Sequence, residues 1–244
     1  MKLEEKIRLV LNKLKERYSD NLAAWIIYGS AADGKWNEET SDIDSIIILK
    51  DTIEVLDINE EKKSLIKEIE NEGISVVEFN KITEYLRDIL SRGRWSNLIT
   101  IIDPPKLAYS TPEFNEMQNK LLAGLKKVTI DNKKIIELIH IKDKFELGPE
   151  LLGKVEGYKK VSCLHGHLRR KFQILNYYLK GNLVYDYRKN LESIKELFSE
   201  DEYKKLRNIP WFYEERKGII PEDEGYFKEL ALKITEMIGE KLKN

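Results

Sequence analysis

The chain has one cysteine, Cys163, among 244 residues, so no internal disulfide can form and a reducing compartment suits it better than a secreted one. Long apolar runs are missing as well. Nothing approaches the roughly 18 to 20 residues of a membrane span, and the opening MKLEEKIRLV reads as the start of an amphipathic helix rather than a signal peptide. A cytoplasmic protein without membrane attachment is expected. Charge of one sign is lacking too. The 42 Lys and Arg nearly cancel the 43 Asp and Glu, which removes the argument for a basic nucleic-acid-binding face over the whole molecule. The 3 histidines and the cysteine invite a zinc reading. The densest candidate, CLHGHLRR, places His165 and His167 two apart on a helix, where side chains diverge by about 200° and cannot share a tetrahedral ion. A core His165, a surface His167, a Cys163 packed as a small apolar residue and a helix-interior His140 are expected instead.

What is present is a folding composition: 41% hydrophobic and 35% charged residues exclude global disorder. The length suits one large or two modest domains, and two fit the patterning better. Residues 2–18 space Leu3, Ile7, Val10, Leu11, Leu14 and Tyr18 along one helical face. AAWIIY (23–28), SIIIL (45–49) and ISVVEF (74–79) read as short buried strands. Between the last two, INEEKKSLIKEIENEG (58–73) is helical in period, with Gly73 as its stop. ITEYLRDILSRG (82–93) reads as another helix, and Pro104-Pro105 as an extended or turning connection. Thr111 and Pro112 form a cap and first residue for the helix that follows. From about 129 onward no strand is expected. Leu151 to Leu179 mark a long bundle helix over 150–180, followed by helices at 188–198, 200–207 and 223–242, interrupted at Pro210 and Pro221. The best seam between domains falls near 110–130.

The stretch YGSAADGKWNEETSDID carries the chemistry. Strand alternation places Asp42 and Asp44 on one face, where two carboxylates repel unless a cation sits between them. All-oxygen ligands favour a hard ion such as Mg²⁺, which takes phosphate oxygens as further ligands. The Gly29-Ser30 turn supplies the complementary half. Its glycine admits close backbone approach, and nearby amides and the serine hydroxyl can hold phosphate oxygens. A helix beginning at residue 31 would add its positive end.

This Gly-Ser, variable loop, Asp-x-Asp arrangement between two strands resembles the signature of the nucleotidyltransferase superfamily typified by DNA polymerase beta. More narrowly it is similar to the small nucleotidyltransferases, including aminoglycoside nucleotidyltransferases and the minimal enzymes of toxin-antitoxin systems. The resemblance covers about residues 20–80. It implies an α+β fold: a small mixed β-sheet domain flanked by helices, residues 1–112, followed by an all-α helical bundle, residues 113–244, that binds the acceptor. It implies Mg²⁺-dependent transfer of a nucleoside monophosphate, AMP from ATP, to a hydroxyl of a small-molecule acceptor, with pyrophosphate released. Asp42 and Asp44 would be metal ligands and catalytic, and Gly29 and Ser30 would bind the nucleotide.

The family places a third carboxylate on a neighbouring strand. Glu78 is the candidate, as a metal ligand or base, with Glu72 and Glu84 in reserve. Arg169, Arg170 and Lys171 form the densest basic cluster beyond the sheet and are candidates for closing over the phosphates, set against a merely solvated helix face. Trp25, Tyr28 and Trp36 are candidates to stack on a base, with buried packing the competing reading for Trp25 and Tyr28. Two alternatives stay open: AMP transfer to a protein partner or an RNA end, which the near-zero charge disfavours for RNA, and a catalytically silent nucleotide- or partner-binding module. Oligomeric state, a homodimer included, is not written in the sequence.

Overall fold

The computed structural model describes residues 2–34, 36–38, 41–50, 58–71, 73–82, 94–127, 158–208 and 221–243. The chain divides into two compact units, Met1–Ile89 with Ser96–Val128 and Leu90–Trp95 with Thr129–Asn244. The fold is α+β: a mixed four-stranded sheet with flanking helices in the first unit, and helices in the described part of the second. No described helix is long and apolar enough to cross a membrane.

In the first unit, helix α1 (Leu3–Tyr18) carries Glu4 and Glu5 in its first turn and Lys15 and Arg17 in its last, matching the helix dipole at both ends. It buries Val10, Leu14 and Tyr18, spaced four apart, on a single stripe. Strand β1 (Leu22–Ile27) follows, then β2 (Ser45–Leu49), and every residue of both strands is buried. Helix α2 (Ile58–Ile69) leads to β3 (Ile74–Glu78). The sheet order is β3-β2-β1-β4, with β4 at Lys106–Ser110. β1 pairs antiparallel with β2 and β4, whereas β2 pairs parallel with β3. The two central strands are covered on both faces, which is why they read as continuous apolar runs rather than alternating ones. Trp25, Ile27, Ile43, Ile47, Leu49 and Ile74 form one core layer with Val10, Leu14 and Tyr18 of α1 and Leu65 and Ile69 of α2.

Two elements went unread in the sequence: β4 and helix α3 (Arg94–Ile102). β4 is an edge strand whose residues are exposed or only partly buried, so it lacks the apolar run that marked its neighbours. The helix expected over 82–93 lies outside the described residues after Ile82. Helix α4 (Pro112–Lys127) starts where the Thr111-Pro112 pair places it, and the Phe114 amide donates to the Thr111 hydroxyl oxygen at 3.4 Å.

In the second unit, α5 (Tyr158–Lys180) is followed by α6 (Tyr187–Ser193), α7 (Glu200–Arg207) and α8 (Pro221–Lys243). Pro221 is the first residue of α8 rather than an interruption, the position where proline's missing N–H costs nothing. Phe172 packs its ring 5.3 Å from that of Tyr187 and 5.9 Å from that of Phe198. Ser199 and Glu202 form a reciprocal capping box at the start of α7. Two sequence expectations are corrected here. His167, expected at the surface, is 2% exposed, and Lys171 is equally buried instead of lying on a solvated face. Lys171 turns inward because α8 offers it oxygen acceptors: its ammonium donates to the Ala231 carbonyl and the Thr235 hydroxyl. His140 and Pro210 lie outside the described residues, as do the side chains of Cys163 and His165.

Glu61 ties α1 to α2. It accepts from Arg17 Nε at 2.8 Å and from the Tyr18 hydroxyl at 2.6 Å. The Arg17 hydrogen bond, and after it the Tyr18 one, hold its carboxyl below the usual range against the opposing pull of partial burial. A depressed folded-state pKa contributes stability that is complete above the unfolded-state value and is lost as pH falls through the folded one. Glu61→Gln is therefore expected to lower stability by about 1 kcal/mol at pH 7. In urea unfolding at pH 3 the difference from the parent protein should shrink toward zero.

Candidate active site

The site is assembled where β1 ends and β2 begins. The Tyr28 amide donates to the Asp44 carbonyl at 2.9 Å, which brings the turn after β1 beside the residue that precedes β2. Gly29 follows with φ +68°, a left-handed conformation that costs an L side chain roughly 1 to 2 kcal/mol. A Cβ on Gly29 would also lie 2.6 Å from Asp44 Oδ2. Glycine at this position lets a carboxylate oxygen rest against bare backbone. The chain then makes one 3₁₀ turn, Gly29–Ala31, with the Ala32 and Asp33 amides both donating to the Gly29 carbonyl at 3.1 Å. This single turn takes the place of the longer helix that would have begun at residue 31. Attraction for an anion therefore falls to the leading amides of a turn rather than to a full helix dipole.

Asp42 and Asp44 flank Ile43, which is fully buried in the core layer beneath the sheet. With Ile43 pointing in, its neighbours face the other way: Asp42 is exposed and Asp44 half-buried. Gly73, just before β3, abuts both. A Cβ there would sit 3.1 Å from Asp42 Cβ and 3.1 Å from the Asp44 Cα and amide nitrogen. Its carbonyl accepts from the Ser45 amide at 2.7 Å. Two carboxylates grouped this way, with an oxygen-only donor set and space kept by two glycines, suit a hard divalent cation.

The register does not bring Glu78 to this place. Ile74 pairs with Ser45 and Glu78 with Leu49 in a parallel ladder, so Glu78 lies at the far end of β3 from Asp44. Five residues of strand separate Asp44 from the level of Glu78, roughly 16 Å at about 3.3 Å per residue. It also shares the Ser45, Ile47 and Leu49 face of the sheet, opposite to that of Asp44. Among the described residues no group of three or more His, Cys, Asp or Glu side chains could hold a metal ion. Glu72 and Glu84 lie outside the described residues. Arg169 and Arg170, on α5, belong to the second unit. The Arg169 guanidinium donates to the Tyr185 hydroxyl at 3.1 Å and lies 5.0 Å over that ring. Trp25 is 1% exposed and packs in the core. Trp36 is held by its indole N–H, which donates to the Ser41 carbonyl at 2.9 Å, and by Lys6 over its ring at 5.4 Å.

Sequence reasoning passed over Asn71 and misread Gly73. Helix α2 ends at Ile69, and the left-handed residue after it is Glu70, φ +52°, so Gly73 does not stop the helix. Its lack of a side chain serves the close approach to Asp42 and Asp44. A polar residue between two apolar segments was the only trace Asn71 left in the sequence.

Residues 7–96 match the family model of the nucleotidyltransferase domain, a span that takes in β1, β2 and β3. Among curated proteins none matches. A solved structure, spectinomycin adenyltransferase AAD(9) from Enterococcus faecialis with ATP and spectinomycin, aligns at 12% identity with a TM-score of 0.49, covering 99% of this chain and 99% of that one.

Gly29→Ala should destabilise the protein by about 1 to 2 kcal/mol through backbone strain alone, with a further contribution from displacing the Asp44 carboxylate. In a double-mutant cycle with Asp44→Ala, read by chemical denaturation, the two losses should sum to more than the double variant shows, because the second change removes the clash.

Proposed function

We propose, from the match of residues 7–96 to the nucleotidyltransferase domain model, that this chain transfers a nucleoside monophosphate, AMP from ATP, to a hydroxyl of a small-molecule acceptor. The observation that carries this reading is the packing of Asp44 Oδ2 against the backbone of Gly29, with Asp42 beside it across Gly73. Such a site would combine a cation-binding pair with a turn whose amides can take phosphate oxygens. Asp42 and Asp44 would hold a divalent ion through carboxylate oxygens, and the Gly29-Ser30 turn would orient the triphosphate with amides and a hydroxyl. When bound, magnesium supplies positive charge against the phosphate oxygens.

The acceptor oxygen attacks the α-phosphorus in line, and the bond from that phosphorus to the bridging oxygen breaks. Pyrophosphate leaves, and the acceptor's proton passes to solvent. The two aspartates act by positioning and by fixing charge, which is where most of the catalytic effect lies in phosphoryl-group chemistry. Glu78 has no part in this reading because of its register. The helical segment, 113–244, is assigned acceptor recognition on the strength of the layout alone.

The distance of Glu78 from the aspartates also favours a second reading, a nucleotide-binding module without turnover. Pyrophosphate release separates the two. With ATP, magnesium and a panel of hydroxylated acceptors, the first reading expects release that depends on acceptor, and the second expects ATP binding with none.

Asp44→Asn should lower transfer by at least about a thousandfold, the scale of losing a group that fixes transition-state charge, while leaving the fold intact or slightly more stable. Removing one of two adjacent carboxylates relieves their repulsion in the metal-free protein. Unchanged turnover in a folded Asp44→Asn variant would refute the assignment.

A further inference from the structure

Asn71 is a buried polar side chain, 2% exposed, placed between α2 and β3. Its amide makes two bonds to one residue. Nδ2 donates to the Ile43 carbonyl at 2.9 Å, and Oδ1 accepts from the Ile43 amide at 2.8 Å. Ile43 is the residue between Asp42 and Asp44. The contact spans 28 positions of sequence and closes a ring that only a side chain with both a donor and an acceptor can make.

Several features converge on this clasp. Glu70 adopts φ +52°, one of only two positive values at non-glycine positions among the described residues. The Asn71 amide returns to the Ile66 carbonyl at 3.4 Å, the reach-back of a helix-ending turn. The strained residue thus swings Asn71 off the helix end and toward Ile43. Two residues later Gly73 closes on Asp42 and Asp44, with its own carbonyl bound to the Ser45 amide. The Ile43 amide and carbonyl and the Ser45 amide are held by the 71–73 segment, and the Asp44 carbonyl by the turn after β1.

We propose that Asn71 is a positioning residue for the acid pair. By gripping both the N–H and the C=O of Ile43, it fixes the rotation of the peptide groups on either side, so that both carboxylates are presented to one cation before that cation arrives. The inference rests on the nucleotidyltransferase reading of Asp42 and Asp44. A group that orients metal ligands without touching the metal changes affinity by 10- to 100-fold on the usual scale.

The test uses Mn²⁺ as the probe, titrated into the full chain and followed by the electron paramagnetic resonance signal of the free ion. Asn71→Asp keeps the acceptor and loses the donor at nearly constant shape; Asn71→Ser shortens the reach of both. Gly73→Ala presses on the same aspartates from outside the clasp, and is a second route if the Asn71 variants unfold. Circular dichroism and urea midpoints confirm which variants are folded. The expected result is strong Mn²⁺ binding by the parent protein, none by Asp44→Asn, and binding weakened about 10- to 100-fold in folded Asn71 variants or in Gly73→Ala. Transfer by these variants should recover toward the parent kcat when the metal concentration is raised, which a general loss of folded protein would not allow. Parent-like Mn²⁺ affinity in the folded variants, with Asp44→Asn still inactive in binding, overturns the role of Asn71 alone. Failure of the parent to bind Mn²⁺, or equal binding by Asp44→Asn, overturns the active-site reading and this inference together.

Discussion

Two acidic side chains are held on the same side of one peptide segment because the residue between them is buried. Like charges on neighbouring carboxylates repel, so such an arrangement persists only if the backbone is more tightly specified than the repulsion can undo. Ile43 supplies the hydrophobic half of that specification by filling the layer under the sheet with Ile47, Leu49 and residues of both covering helices. Hydrogen bonds donated by Tyr28 and by Asn71 Nδ2 and accepted by Asn71 Oδ1 and the Gly73 carbonyl supply the other half. The site is thus a property of the sheet's central strand pair and of the connections that enter it, and the helices matter to it as the lid of the hydrophobic layer.

Within that frame, glycine has a different task at each of two positions. Gly29 provides a left-handed backbone and leaves room for a carboxylate oxygen at a distance no side chain would tolerate. Gly73 has an ordinary backbone and provides only room, against the backbone and Cβ of the same pair. One is needed for its torsion and its size, the other for its size alone. Together they leave the acid pair with bare main chain on two sides, where the field of nearby amides is not diluted by intervening side chains.

Much of this was readable beforehand. β2 was placed to the residue, α1 to within one, and the Gly-Ser and Asp-x-Asp segments were recognised as neighbours because an apolar strand ran into the first and out of the second. The sequence also showed correctly that Glu78 shares a face with Ile74 and Val76. What it could not show was which way that strand runs beside its neighbour. An antiparallel β3 would have placed Glu78 near the aspartates. The parallel ladder puts it at the opposite end, and strand direction depends on the crossover, not on any local pattern. Asn71 escaped notice for a related reason: its meaning lies in a contact across 28 residues, which no local periodicity reports. The burial of Lys171 runs against the rule that a charged run on a helix is solvated, and the oxygen acceptors on α8 make that burial tolerable.

The parallel pairing of β2 and β3 has a kinetic corollary. A hairpin can zip from its turn, but a parallel neighbour must wait until the intervening helix has formed and carried the chain back across the sheet. Ile43 meets Asn71, and Ser45 meets Gly73, only after that return journey. The hold of Asn71 and Gly73 on the acid segment is therefore non-local, and the entropy of closing the intervening crossover must be met before it can form. A chain that lacks the crossover lacks that clasp, whatever the local pattern of its strands.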